Sequence, residues 1–202
     1  MKLVIASDIH GAAHWCRKLI DAIDAEQPDR VVLLGDLLYH GPRNDVPRDY
    51  AHKEVIAMLN SIAGSLIVVR GNCEADVDQW VLDFPCQAEY NYLWDSACTT
   101  DIGTHNERRD AAGKPMHGRA LFCTHGHIWG AGYHNSANHM PPLPGGSALV
   151  FGHTHKKVNE ESPNYPGIWC FNPGSVGLPK DGTHSFGIYE NGEFRHHIWD
   201  NE

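Results

Sequence analysis

Five short apolar runs in this chain each end on a residue able to bind a metal ion. Leu3–Ala6 leads into Ser7-Asp8-Ile9-His10-Gly11, Val31–Leu34 into Gly35-Asp36, and Leu66–Val69 into Arg70-Gly71-Asn72-Cys73-Glu74. Further on, Arg119–Cys123 leads into Thr124-His125-Gly126-His127, and Ala148–Phe151 into Gly152-His153-Thr154-His155. Any one of these alone is an ordinary strand-to-loop turn using Gly, Asp or Asn. Together they choose metal-binding side chains every time, and twice place His where a helix cap would favour Ser or Asp. The glycines let the backbone turn sharply so that the next side chain points inward. The donors on offer are Asp8, His10, Asp36, Asn72, His125, His153 and His155. Carboxylate and amide oxygens mixed with imidazoles suit Mn, Fe, Zn or Ni, and argue against calcium or an all-thiolate zinc site. Seven protein donors exceed one ion's need but suit two ions about 3.5–4 Å apart with one carboxylate bridging.

The composition agrees. Fifteen histidines among 202 residues is a heavy load of the side chain that titrates nearest neutrality and most often ligates transition metals. The net charge of −9 is the wrong sign for a protein that grips polyanionic nucleic acid, so a nucleic-acid scaffold or a nuclease acting on polymers is disfavoured. With 42% hydrophobic residues the chain can bury a full core, and its length suits a single domain over residues 1–202. The six cysteines form no CxxC pair, and at this size nothing requires disulfides. The N-terminal apolar run is too brief for a signal sequence, and no stretch approaches a membrane span. The expectation is a soluble cytoplasmic protein with no membrane partner.

Elements must bring these donors together. The first three apolar runs read as strands buried on both faces. Between them lie His14–Gln27 and Arg48–Ala63, each with an apolar stripe at helical spacing, so the first half is a βαβαβ unit with a parallel sheet. A short helix is expected over Ala75–Leu82. The second half is strand-rich, with segments at Tyr90–Trp94, Arg119–Cys123, Ala148–Phe151, Ile168–Phe171, Ser185–Tyr189 and Phe194–Trp199. Asn191-Gly192 reads as a hairpin turn between the last two. Two polar stretches near 95–118 and 130–146 resist assignment and read as surface insertions. In open α/β sheets the carboxyl ends of strands converge on one crevice, and that is where the five donor loops would meet.

The set DxH, GD, GN, H and GHxH, in this order, resembles the calcineurin-like metallophosphoesterases. Several stretches are more closely similar to the YfcE-type bacterial phosphodiesterases: Ala6-Ser7-Asp8-Ile9-His10-Gly11, Gly35-Asp36 followed by His40-Gly41-Pro42-Arg43-Asn44, Val69-Arg70-Gly71-Asn72-Cys73, Thr124-His125-Gly126-His127, Gly152-His153-Thr154-His155 and Phe171-Asn172-Pro173-Gly174-Ser175-Val176. The resemblance implies an α/β fold, a four-layer α/β/β/α sandwich of mixed sheets flanked by helices, with a binuclear centre that prefers Mn. It assigns Asp8, His10 and His155 to one ion, Asn72, His125 and His153 to the other, and Asp36 to both. The activity implied is hydrolysis of a small phosphodiester by a metal-bridged hydroxide that Asp36, Asn72 and His125 position. Two dications against two Asp and one hydroxide leave about one positive charge, a match for a diester monoanion.

One position departs from the wider family. Many members carry His after the Asn of GN, where it contacts phosphate and protonates the leaving group; this chain has Cys73. A thiol is a poor donor to a developing alkoxide, so activated aryl diesters are the expected substrates. Arg43 is a candidate for forking onto a substrate phosphate, with a surface ion pair the ordinary alternative, and Asn72 is a further contact. His127 either lines the pocket or orients a ligand from behind. Asn172-Pro173-Gly174-Ser175 reads as a supporting loop, and Trp94, Trp169 and Trp199 as core. His134 and His139, in the second insertion, could overhang the site, while Glu107-Arg108-Arg109-Asp110 reads as an exposed charged face. The resemblance also raises a non-catalytic interaction module, since the retromer scaffold subunit shares this fold with a degraded site. Here all seven donor positions are filled, which argues for chemistry. A phosphomonoesterase of small molecules is the enzymatic alternative, and a dimer or tetramer would be in keeping with either.

Overall fold

The computed structural model describes residues 1–98, 118–130 and 139–199. Two five-stranded mixed sheets stand face to face. The first runs β10 (Glu193–Trp199), β9 (His184–Glu190), β1 (Lys2–Ala6), β2 (Arg30–Leu33), β3 (Leu66–Val68), with β1, β2 and β3 parallel. The second runs β4 (Tyr90–Asp95), β5 (Arg119–Thr124), β6 (Ala148–Val150), β8 (Trp169–Pro173), β7 (Lys157–Glu161), with β5, β6 and β8 parallel. Helices α1 (Ala13–Glu26) and α2 (His52–Ser61) link the three parallel strands of the first sheet, as the alternation of strand and helix patterns requires.

The apolar runs are continuous because both faces of these strands are buried. In β1, Val4 and Ala6 face the helix-side core with Leu19, Ile23, Val55 and Leu59. Leu3 and Ile5 point the other way, into the layer between the sheets, where they meet Leu121, Cys123, Val150 and Phe171. A third cluster covers the outer face of the second sheet, where Phe122, Leu149 and Cys170 pack under Trp129, Met140, Leu143 and Tyr165. The α/β sandwich is thus as expected. Among the described residues both α-helices serve the first sheet, and loop side chains cover the second.

Differences from the sequence reading have local causes. α2 begins at His52 rather than Arg48 because Tyr50 bridges to Ala12 and the Ala51 amide donates to Gly11, which holds that stretch extended. Residues 76–80 form a tight 3-10 turn in place of a short helix. β7 goes beyond the sequence reading: Lys-Val-Asn-Glu-Glu is a charged edge strand, exposed along most of its length, with none of the alternation that marks a half-buried strand. Trp94, Trp169 and Trp199 are half-buried rather than core, and Trp169 donates its indole N–H to Asn159. The Asn191-Gly192 hairpin is present, both residues with positive φ, as that turn demands. His139 pairs with Gly130 and stands edge-on to Trp129. His134 and Glu107 to Asp110 lie outside the described residues. No helix among the described residues is long and apolar enough to cross a membrane.

Candidate metal centre

The five loops meet at the carboxyl ends of β1, β2, β3, β5 and β6, and they do so in an uncommon backbone conformation. Asp8, His10, Asp36, His153 and His155 all have left-handed φ, between 51° and 66°. For a residue with a Cβ this costs about 1–2 kcal/mol each, so surrounding structure must hold it. It does so by stitching one loop to the next. Asp8 N donates to Gly35 O (3.1 Å), His10 N to Asp36 O (2.9 Å), Gly152 N to His125 O (2.9 Å) and Cys73 N to Asp36 Oδ1 (2.9 Å). Two glycines permit the close approach: a Cβ on Gly71 would run into the Asp36 carboxylate and amide, and one on Gly152 into the Ser7 hydroxyl and Asp8.

The donor atoms converge. His155 Nε2 lies 3.3 Å and His10 Nε2 3.7 Å from Asp8 Oδ1. Asp36 stands between this group and the next, with Oδ2 3.5 Å from His10 Nε2 and Oδ1 3.4 Å from His125 Nε2. Asn72 Oδ1 is 3.1 Å from His125 Nε2, and the His153 ring is centred 5.1 Å from that of His125. All seven residues are therefore brought together, in two groups that share Asp36.

The chemistry of this set fits cations. His10 and His125 each donate Nδ1–H to a backbone carbonyl, of Tyr39 and Leu34, at 2.7 Å, and His155 does so to Leu178. That outer bond commits Nδ1 as a donor and turns Nε2 inward, the nitrogen that a metal ion would take, as in metal-binding histidines. The Nε2 atoms of His10 and His155 then face each other at 3.3 Å, lone pair against lone pair unless a cation or a proton sits between. Asp8 Oδ1 is buried without a hydrogen-bond partner, an expensive state for a carboxylate unless a cation meets it.

Titration behaviour follows from the same crowding. Burial would raise the Asp8 carboxyl, but the imidazoles of His155, His10 and His125 outweigh it and hold it well below the usual carboxylate range. Asp36, under the same opposition, mainly against His125, is drawn down to about 2. Burial opposes charge on His125, yet Asp36 and Asp8 push it up to about 9. His153 is pushed down to about 4 by burial and by its neighbour His125. His155 is lowered chiefly by burial, with His10 and Lys180 adding to it.

Around the donors lies a cleft of about 200 Å³ lined by Asp36, Arg43, Asn44, Asn72, Cys73, His153, Thr154, His155 and Lys180, among others. Arg43 is exposed on its rim. The Cys73 thiol sits within 4.8 Å of ligand atoms of His10 and Asp36 and receives a hydrogen bond from the Asn72 amide. Burial, and then Asp36, push its pKa far up. His127 packs its ring 5.3 Å from that of His125 and is not among the cleft-lining residues, and burial with His125 pushes its pKa down to about 4. The Asn172–Ser175 loop supports the centre from below: Asn172 Nδ2 donates to Gly152 O, and Ser175 Oγ to Asp8 O.

Two residues that matter here escape the sequence reading. Glu74 is 5% exposed, and its carboxylate accepts from the backbone amides of Asp36 (2.9 Å), Leu37 (2.6 Å) and Gly71. It ties the Asp36 loop to the Asn72 loop, and burial beside Asp36 raises its pKa. Its only signal is adjacency to Cys73. Lys180 follows Pro179, outside every donor motif.

Comparison with known proteins agrees with this geometry. Residues 1–193 match the family model described as the calcineurin-like phosphoesterase superfamily domain. Phosphodiesterase YfcE of Escherichia coli strain K12 is 36% identical over 192 residues, covering 95% of this chain and 88% of that protein. The solved structure of the E. coli phosphoesterase YfcE superposes with a TM-score of 0.76 at 36% identity, over 95% of this chain and 89% of that one. An archaeal phosphodiesterase shares the fold at a TM-score of 0.59 and 19% identity, covering 98% of this chain and all (100%) of its own.

Proposed function

The chain belongs to the calcineurin-like phosphoesterase superfamily, and from that premise we propose that it is a metal-dependent phosphodiesterase whose centre holds two divalent cations. Asp8, His10 and His155 take one ion, Asn72, His125 and His153 the other, and Asp36 reaches both. The observation that carries this reading is the inward-facing donor set, above all the orphaned Asp8 Oδ1 beside opposed Nε2 atoms. The mixture of oxygen and imidazole donors favours Mn, with Fe, Zn or Ni accepted by the same set. Bound there, the ions supply Lewis acidity that makes a water nucleophilic near neutral pH and draws charge off the phosphoryl oxygens.

The chain's own residues do the rest. Asp36, braced by the Cys73 amide and by Glu74 beneath its loop, fixes the spacing of the two donor groups. Asn72 faces the cleft beside the donors, where its carboxamide can meet the substrate phosphate, and Arg43 stands exposed on the rim. Cys73 occupies the position from which a leaving group would be protonated. A thiol there gives little help to a departing alkoxide, so diesters of acidic alcohols are the substrates. A small diester fits a cleft of about 200 Å³ on an acidic chain of −9 better than a nucleic-acid polymer does. We also read the protein as a single domain, since the two sheets share one buried core, and as cytoplasmic, since its six cysteines all stand as free thiols.

The test is metal-depleted protein reconstituted separately with Mn, Fe, Zn, Ni and Mg, then assayed on aryl diesters and matched monoesters. Hydrolysis restored by Mn and faster on diesters is the expected result. Activity indifferent to every ion would refute the reading.

A further inference from the structure

The cleft's rim carries charge that the diester reaction does not need. Arg43 and Lys180 both line it, and among the described residues no hydrogen bond or ion pair engages either cationic head. Several other cations are paired, Lys2 and Arg195 with Glu26, Arg17 with Glu54, Arg70 with Asp76 and Lys157 with Asp181; Arg48, Lys53 and Lys156 are not, among the described residues, but none of those three lines the cleft. Among the described residues the sole carboxylate on the cleft wall is that of Asp36, which faces the donors. Both cations also sit on braced backbone. The Lys180 amide donates to His155 O (3.0 Å) just after Pro179, and Asn44 Nδ2 closes the Arg43 loop onto His40 O (2.8 Å). Fixed stems lower the entropy lost when such side chains hold a ligand.

Taking the binuclear reading as given, two dications against Asp8, Asp36 and an attacking hydroxide leave about one positive charge, which the single charge of a diester satisfies. Arg43 and Lys180 are surplus to that balance, and together they match a phosphate dianion. We propose that Arg43 and Lys180 form a second anion subsite at the cleft mouth, selecting phosphodiesters whose non-leaving alcohol carries a further phosphate group. Arg43 forks onto two oxygens of that group while Lys180 contributes a point charge from the side of His155.

The experiment compares two substrates with the Mn-reconstituted enzyme: the p-nitrophenyl diester of a nucleoside, and the same diester bearing a second phosphate on its other sugar hydroxyl. The phosphorylated substrate should show a KM about tenfold lower at low salt, an advantage that added salt erodes. Lys180→Met and Arg43→Met should each erase most of that advantage. Equal KM values in the native enzyme, or variants that keep the preference, overturn the proposal. Should neither diester be cleaved under any metal, the phosphodiesterase reading fails separately. The subsite is then read by calorimetry, where the nucleoside bisphosphate should bind more tightly than the monophosphate, and equal affinities overturn it.

Discussion

Glu74 makes the sharpest prediction, because it touches no substrate and supplies no metal ligand. Its carboxylate is buried, and Oε2 accepts from both the Asp36 and Gly71 amides while Oε1 accepts from Leu37. Glu74→Gln can keep an oxygen at the two-amide position, but it then aims an NH2 at the Leu37 N–H. One bond is lost and two donors are left facing each other, at a cost of about 1–3 kcal/mol for a buried amide left unsatisfied. The substitution also removes a negative charge that Asp36 disfavours, which offsets part of this loss. Glu74→Ala strands all three amides and opens a cavity, so it should cost more than Gln. Since those amides flank Asp36 and Asn72, the larger effect falls on the centre: Mn affinity should drop about 10- to 100-fold in Glu74→Gln, the range for groups that orient metal ligands. Calorimetric Mn titration read beside the melting temperature separates the cases. A variant that melts lower yet binds Mn with unchanged affinity would make Glu74 a local strut and refute the argument.

Cys73→His should add a general acid and raise kcat/KM on diesters of poor leaving groups on the order of 100-fold; no improvement on an alkyl diester would sink the account of that thiol. In the ion-free protein His125 stays protonated up to about 9, and an ion needs it neutral, so falling pH opposes loading. Mn affinity should therefore rise about tenfold per pH unit towards pH 9 and then level, with proton release seen as a buffer-dependent heat; affinity flat with pH would contradict it. Gly152→Ala places a methyl against the Ser7 hydroxyl and Asp8, and should destabilise the fold by about 1–3 kcal/mol in urea titration, with loss of Mn binding.

The donors were legible because each follows a strand whose hydrophobic run is unmistakable, and strand ends in a parallel sheet share one edge. Val31–Leu34 buried on both faces could hardly be anything but a central strand, so Asp36 had to emerge at that edge. The features that escaped are those fixed by tertiary partners. β7 is a strand only because β8 offers it an edge, and nothing in Lys-Val-Asn-Glu-Glu announces that. Glu74 reads as one more surface acid until three amides from the β2 and β3 loops are seen to converge on it. Lys180 looks like an ordinary exposed lysine until the His155 carbonyl is found to pin its backbone.

The DxH and HxH pairs show why the centre is built before any ion arrives. Within each pair the outer residues are left-handed and carry the donors, while the residue between them anchors the loop. Ile9 is fully buried in the helix-side core, and Thr154 meets the Asn172 amide beneath the donors at 3.1 Å. Hydrophobic burial on one side and a buried polar bond on the other thus hold a backbone conformation that local preference disfavours by several kcal/mol in total. The same anchoring crowds Asp8 Oδ1 with Nε2 of His10 and of His155, so that without an ion only a shared proton keeps the two imidazole lone pairs apart. A chain without ions therefore carries both backbone strain and electrostatic frustration at one spot. Cation binding relieves the second while the core sustains the first.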